Sequence, residues 1–149
     1  MTSYVAAELR RLVETRAKHL CEYCLIHYDD TYLGCQIDHV ISEKHDGPTE
    51  AGNLSLACAF CNRAKGTDVG SIVPGTSEFT RFFNPRTDRW SDHFALEGVL
   101  IQSQTAVEEA TARILGFNQP ERILERQLLS ESGRYPPAEA LSRLNSDHL

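Results

Sequence analysis

The chain has 149 residues, of which 41% are hydrophobic, and this length suits one globular domain that buries about 70% of its unfolded surface. The formal charge of −6 argues against a protein that wraps nucleic acid by bulk attraction. No stretch approaches the roughly 20 apolar residues of a membrane span, and MTSYVAAELRRLVE lacks the pattern of a secretory signal, so we expect a cytoplasmic protein with no membrane partner.

The first half of the chain predicts a helix, a cysteine knuckle, a hairpin and a second helix. An amphipathic helix is expected from about 3 to 18, because apolar residues recur there at helical spacing: Val5, Leu9, Leu12 and Val13. CEYC follows, and then a β-rich run over 36–41. A polar loop leads to NLSLA and to a helix over CAFCNRAK, which Gly66 ends.

The second half predicts a hairpin and two further helices after a turn-rich connector, GSIVPGTSEF. HFAL and VLIQ read as short strands around Glu97-Gly98. Thr105 and Glu108 predict a capping box, and Pro120 begins the last predicted helix. We therefore expect a single domain over 1–149, with a core at 16–67, an extension at 68–130 and a loosely packed tail at 131–149.

Four of the five cysteines form two CxxC pairs, Cys21 with Cys24 and Cys58 with Cys61. In a reducing compartment this spacing predicts one closed, four-thiolate zinc site that stabilises the fold and offers no open position to a substrate. The alternatives are unrelated buried thiols or one redox pair. Cys35 is left over and is expected to be a small core residue.

Asp38 and His39 lie between the two cysteine pairs, in QIDHVIS. A carboxylate can hold a hard cation, and an imidazole can take a proton from water near neutral pH. By itself the dipeptide is weak evidence for a catalytic site, since an Asp-His pair at a strand end is more often a surface pair. Successive side chains on a flat strand also point to opposite faces, so a shared site needs a strand end or a bulge.

The whole arrangement of residues 16–67 resembles the HNH endonucleases with their ββα-metal fold. RAKHLCEYC, QIDHVIS, a glycine-containing loop and GNLSLACAFCNRAKG follow in the order of that family. The resemblance implies that His39 is the general base and that Asp38 and Asn62 hold a catalytic divalent ion. It also makes Asn53 the middle asparagine of the catalytic motif, which stabilises the loop.

This chain departs from the common family pattern in two places. Asn62 stands where the family name calls for histidine, and it keeps an oxygen ligand. Ser42 and the run His45-Asp46-Gly47 replace the more usual proline and double glycine of the loop. Neither change removes a catalytic group.

Nucleic-acid contacts are expected from basic residues near the motif and in the aromatic segment FTRFFNPRTDRWSDHF. The helix places Lys65 on the face of Asn62, where it is either a phosphate contact or a solvated lysine. The aromatic segment is either a stacking surface or a small core with solvated arginines. The candidate contacts are Arg63, Lys65, Arg86 and Arg89.

Together these patterns predict an α+β protein with a zinc-stapled, treble-clef-like ββα-metal core. The predicted activity is DNA hydrolysis with structural Zn²⁺ and a catalytic divalent ion, Mg²⁺ or alternatively Mn²⁺. A competing hypothesis is a zinc-stabilised module that binds nucleic acid or protein without cleaving it. A purely structural zinc domain would leave the Asp38-His39 pair unexplained.

Overall fold

The computed structural model describes residues 4–145. Helix α1 (Ala7–Arg16) precedes a hairpin of two antiparallel strands, β1 (Cys35–His39) and β2 (Leu54–Cys58), and β2 leads directly into helix α2 (Ala59–Lys65). The register pairs Cys35 with Cys58 at one end of the hairpin. This core confirms the predicted α+β fold, but the polar loop lies inside the hairpin and not after it, because β2 follows the loop.

Helix α1 is shorter than the predicted range of 3–18, and it packs against β2. Val13 and Ala17 are fully buried on its inner side. The chain turns sharply after Ala17, because Lys18 and His19 both have positive φ values, 56° and 59°. This turn directs the chain into the CEYC knuckle.

Helix α2 begins at the second cysteine pair, as the sequence predicts. Cys58 caps its amino end, and the Cys58 sulfur accepts a hydrogen bond from the backbone N–H of Cys61 at 3.4 Å. Gly66 ends the helix with a φ of +55°. One short helix therefore follows the strand without a loop, which keeps the second cysteine pair next to the hairpin.

The remaining elements form two more hairpins and a set of helices: β3 (Gly70–Ile72), β4 (Phe79–Arg81), α3 (Trp90–His93), β5 (Phe94–Glu97), β6 (Leu100–Ser103), α4 (Ala106–Leu115), α5 (Pro120–Glu131) and α6 (Leu141–Leu144). The β5–β6 hairpin and the helices α4 and α5 were predicted. The β3–β4 hairpin was not, because its short strands lie within a turn-rich sequence. No helix in residues 4–145 is long and apolar enough to cross a membrane.

The predicted capping box at the start of α4 is wrong. Thr105 is the N-cap residue, but its hydroxyl donates to the Glu108 carboxylate at 2.6 Å instead of accepting from a backbone N–H. Glu108 is fully buried and also contacts His93 at 3.2 Å. Thr105 and Glu108 therefore interact through their side chains, and the Thr105 hydroxyl does not cap a backbone N–H.

The aromatic segment is mainly core. Phe82, Phe83 and Trp90 are buried, and the ring of Phe94 packs against both Phe83 and Trp90 with centroid distances of 5.4 and 5.1 Å. Phe79 is exposed. Of the two interpretations, the small core describes most of these rings.

The described part of the tail, residues 131–145, is mostly exposed but contacts the rest of the protein at a few positions. Tyr135 and Ala140 are buried, and Arg143 on α6 donates to the buried carboxylate of Glu22 at 3.3 Å. Local sequence pattern does not reveal these long-range contacts. The part of the tail from 146 to 149 lies outside the described residues.

Candidate active site and zinc site

The four CxxC cysteines meet in one cluster. Their sulfur atoms lie within 4.8 Å of one another, and all four residues are fully buried. Zn–S bonds of about 2.3 Å in a tetrahedron separate sulfur atoms by about 3.8 Å. The sulfurs of Cys24 and Cys58 are 3.8 Å apart, so the cluster has the dimensions of a zinc site.

The first cysteine pair lies on a tight knuckle that orients both sulfurs toward the second pair. Cys21 donates its N–H to Ile26 O at 2.8 Å, and Leu25, at a φ of +67°, donates to Cys21 O at 2.9 Å. The N–H of Cys24 points to the Cys21 sulfur at 3.5 Å. The knuckle therefore forms from local backbone hydrogen bonds.

Asp38, His39 and Asn62 all line one open cleft of about 680 Å³. Asp38 and His39 are adjacent in sequence, but β1 ends at His39, so the two side chains need not follow the alternation of a continuing strand. Ser42, Lys44 and Thr67 line the same cleft. The structure thus brings the three predicted site residues together.

The Asp38 carboxylate is almost completely buried and carries several donors. Its Oδ2 accepts from the Tyr23 hydroxyl at 3.0 Å and from the Ser55 hydroxyl at 3.4 Å, while Lys65 Nζ lies 3.2 Å from Oδ2 and 3.3 Å from Oδ1. Burial raises the pKa of Asp38, and the Lys65 charge and the hydroxyl donors act in the opposite direction. Burial also raises the pKa of Tyr23, which keeps it a neutral donor.

Lys65 is neither a solvated lysine nor placed to contact a phosphate. Only 1% of its surface is exposed, and its ammonium also donates to the carbonyl of His39 at 2.9 Å. The reason is that α2 packs this face against β1. Lys65 therefore connects α2, the helix of the second cysteine pair, to the Asp38-His39 pair.

His39 is oriented by a residue that the sequence analysis missed. Its Nε2 lies 2.9 Å from the hydroxyl of Thr49. When Nε2 carries the proton and donates to Thr49, Nδ1 is left as an acceptor. Thr49 belongs to a polar loop, and its sequence carries no signal that would identify this contact.

Asn53 braces the loop that follows β1, and it does not line the cleft. Its Oδ1 accepts from the N–H of Ile41, and its Nδ2 donates to the carbonyls of Ile41 and Pro48, each at 2.9 Å. Gly47 allows this close approach, because a Cβ at that position would lie 1.7 Å from Ile41 O. Asn53 thus stabilises the loop, as the resemblance implies.

The cleft offers oxygen atoms of the kind that bind a hard divalent ion. Asn62 donates its Nδ2 to Gln36 at 2.5 Å, and this bond uses the amide nitrogen and not the oxygen. Asp38 Oδ1 has one donor, Lys65, whereas a carboxylate oxygen has two lone pairs. Asp38 Oδ1 and Asn62 Oδ1 are therefore the atoms that could hold such an ion, against some repulsion from Lys65.

Comparison with known proteins agrees with this geometry. The family model described as HNH endonuclease matches residues 21–68, which is less than half of the chain. Residues 21–68 are therefore similar in sequence to HNH endonucleases. No curated protein and no solved structure matches the chain.

The HNH segment, residues 21–68, contains both cysteine pairs and the three predicted site residues that line the cleft, Asp38, His39 and Asn62. Of the predicted nucleic-acid contacts, Arg63 lies in this segment and is exposed on α2. Arg89, in the extension, is also exposed.

Arg86 is a correction, because its guanidinium is not available to phosphate. Its side chain is 11% exposed and forms an ion pair with Glu22, which is fully buried inside the CEYC knuckle of the HNH segment. Glu22 Oε1 also accepts the backbone N–H of Leu56 at 3.0 Å. Arg86 thus attaches the extension to the HNH segment.

Proposed function

We propose that the protein is a metal-dependent endonuclease that hydrolyses phosphodiester bonds of DNA. The observation that carries the proposal is that His39, Asp38 and Asn62 line a single cleft inside the segment matched by the HNH endonuclease family. The five unpaired cysteines suit the reducing cytoplasm, where we place the protein.

In this proposal His39 is the general base. With Nε2 held by Thr49, Nδ1 accepts a proton from the attacking water. The water oxygen bonds to phosphorus as the bond to the 3′ oxygen breaks. The leaving 3′ oxygen takes a proton from solvent, so the products are a 5′ phosphate and a 3′ hydroxyl. A divalent ion, Mg²⁺ or Mn²⁺, held by Asp38 and Asn62, would stabilise negative charge on the phosphate and on the leaving oxygen.

Exposed cations near the cleft are the proposed phosphate contacts. Lys44 lines the cleft and is exposed, and Arg63 is exposed on α2, next in sequence to Asn62. Arg89 is retained as a contact outside the cleft. Because the net charge is −6, we expect a few local contacts and a moderate dependence of binding on salt.

The test is cleavage of supercoiled plasmid by the zinc-loaded protein with Mg²⁺ or Mn²⁺. We expect His39→Ala to lose activity by about 10²–10⁴-fold, since that is the usual contribution of a general base. His45→Ala is the matched control, because His45 is exposed and does not line the cleft. The metal control omits the divalent ion and adds no strong chelator, since a chelator would also remove zinc.

One observation favours the second candidate, a binding module that does not cleave. Asp38 already has a cation, Lys65, at 3.2 Å. If wild type and His39→Ala are equally inactive with every divalent ion while both retain DNA binding, the module replaces the endonuclease. Binding is measured by the change in fluorescence anisotropy of a labelled duplex.

A further inference from the structure

A buried cation from outside the HNH segment contacts the zinc ligands. Arg122 lies on α5, and its NH2 is 3.2 Å from the sulfur of Cys24 and 3.6 Å from that of Cys58. Its NH1 is 3.7 Å from the sulfur of Cys61. A planar guanidinium thus points its two terminal nitrogens at three of the four thiolates.

The charge of the zinc site explains why a cation is needed here. Four thiolates around Zn²⁺ leave a net charge of −2, and burial of uncompensated charge is costly. Arginine suits this position because its guanidinium stays charged and donates in a fixed fork. Arg122 is 3% exposed, so water does not supply this compensation.

The Arg122 side chain is held in place on its other sides. Its Nε donates to Glu125 at 3.1 Å, one turn further along α5, and its guanidinium carbon lies 5.1 Å from the ring centroid of Phe60. Phe60 stands between the two cysteines of the second pair. The guanidinium therefore meets the thiolates in a defined orientation.

The extension and the tail also hold the backbone of the first cysteine pair. The Tyr135 hydroxyl donates to the carbonyl of Cys24 at 2.8 Å, and the indole N–H of Trp90 donates to the carbonyl of Tyr23 at 2.8 Å. Both aromatic residues are 4% exposed. The zinc knuckle is thus enclosed by residues from well beyond the HNH segment.

We propose that Arg122 is the charge-compensating, hydrogen-bonding partner of the zinc thiolates, and that α5 thereby slows release of the metal. The HNH segment supplies the four ligands, and the extension supplies the positive charge that keeps them bound. This role does not depend on DNA cleavage, so it stands or falls separately from the proposed endonuclease activity.

The test measures zinc transfer from the full, zinc-loaded chain to a colorimetric chelator. Arg122→Met removes the charge and the donors but keeps a long side chain, and Arg122→Lys keeps the charge without the fork. Arg113→Met is the matched control, because Arg113 is exposed on α4 and donates to the carbonyl of Ile72. Tyr135→Phe weakens the attachment of the tail to the cysteine knuckle without removing a donor to sulfur.

We expect Arg122→Met to release zinc about 10- to 100-fold faster than wild type, since loss of a partner of metal ligands has effects of this size. The zinc-release rate of Arg122→Lys should lie between those of Arg122→Met and wild type. The rate of Arg113→Met should match wild type. In the cobalt-substituted protein, the thiolate-to-metal charge-transfer band of Arg122→Met should move to longer wavelength. The reason is that hydrogen bonds to sulfur stabilise its lone pairs. The band of Tyr135→Phe should not move.

Two results would overturn the proposal. One is a release rate for Arg122→Met equal to that of Arg113→Met. The other is an unmoved cobalt band together with equally fast release from Tyr135→Phe at the same loss of unfolding free energy. If Arg122→Met does not fold, Arg122→Lys decides on both readouts: a faster release and a shifted band support the proposal, and values equal to wild type end it.

Discussion

Lys65 and Asp38 form a buried ion pair, with Lys65 Nζ at 3.2 Å from Asp38 Oδ2 and 4% or less of either side chain exposed. This pair connects α2, which carries the second cysteine pair, to the strand that carries His39. One lysine therefore links the helix of the second cysteine pair to the strand of the candidate active site.

Lys65→Met should destabilise the protein strongly. Removal of one partner leaves the Asp38 carboxylate buried without a counter-charge, which costs about 3–5 kcal/mol. The measurement is the free energy of unfolding of the zinc-loaded protein in denaturant. Lys44→Met is the matched control, since Lys44 is exposed and should change the free energy by less than about 0.5 kcal/mol.

The double variant Lys65→Met, Asp38→Asn tests the same prediction from the other side. It removes the uncompensated charge of the Asp38 carboxylate, so it should recover part of the unfolding free energy that Lys65→Met loses. Equal stability of wild type and Lys65→Met would contradict a buried ion pair.

Thr49→Val should slow cleavage without weakening DNA binding. The hydroxyl at 2.9 Å from His39 Nε2 holds the imidazole, and a misplaced base reduces turnover by about 10- to 100-fold. We expect kcat to fall while KM for DNA stays near the wild-type value. Thr76→Val, in the exposed loop between β3 and β4, is the control. A change in KM alone would show that Thr49 acts on substrate binding and not through His39.

Asn53→Ala should loosen the loop between β1 and β2. Three partly buried hydrogen bonds are lost, and backbone groups of Ile41 and Pro48 lose their partners, so we expect a loss of about 2–3 kcal/mol. Hydrogen exchange at the Ile41 amide should accelerate as well. Asn53→Asp keeps an acceptor for the Ile41 N–H but cannot donate to the two carbonyls, so it should recover only part of the lost stability. Protection of the Ile41 amide in Asn53→Ala would refute this role.

Glu22→Gln should weaken the attachment of the extension and the tail to the HNH segment. Arg86 and Arg143 both pair with this fully buried carboxylate, so its neutralisation leaves two cations without their counter-charge and should cost about 3 kcal/mol. Thermal unfolding of the zinc-loaded protein measures the effect. Asp29→Asn, at an exposed carboxylate, is the control. If both variants unfold at the wild-type temperature, the ion pairs do not stabilise the protein.

The zinc ligands and the cleft residues were accessible from sequence because their signals are local. Two CxxC spacings predict a four-thiolate site, and Asp38-His39 followed by Asn53 and Asn62 lies in the order of a known family. The helix periodicity even placed Lys65 on the face of Asn62. What it could not give was the burial of Lys65, which depends on how closely α2 packs against β1.

The arginines show the limit of sequence reasoning most clearly. The sequence indicates a surface cation among aromatic residues at Arg86. It gives no sign of a role for Arg122, which lies on an amphipathic helix. Their partners lie 64 and 98 positions away, at Glu22 and at the Cys24 sulfur. A sequence pattern does not say which cation is desolvated, because that depends on which charge the fold brings beside it.

The sequence by itself therefore determined the four-cysteine cluster, the α+β core and the candidate catalytic set, since each rests on residue type at short spacing. Only the tertiary structure decided that Lys65 and Arg86 are buried counter-ions, that Thr49 orients His39, and that Arg122 and Tyr135 enclose the zinc knuckle. Those roles arise from contacts between distant segments, and burial turns an ordinary polar side chain into one that must be paired.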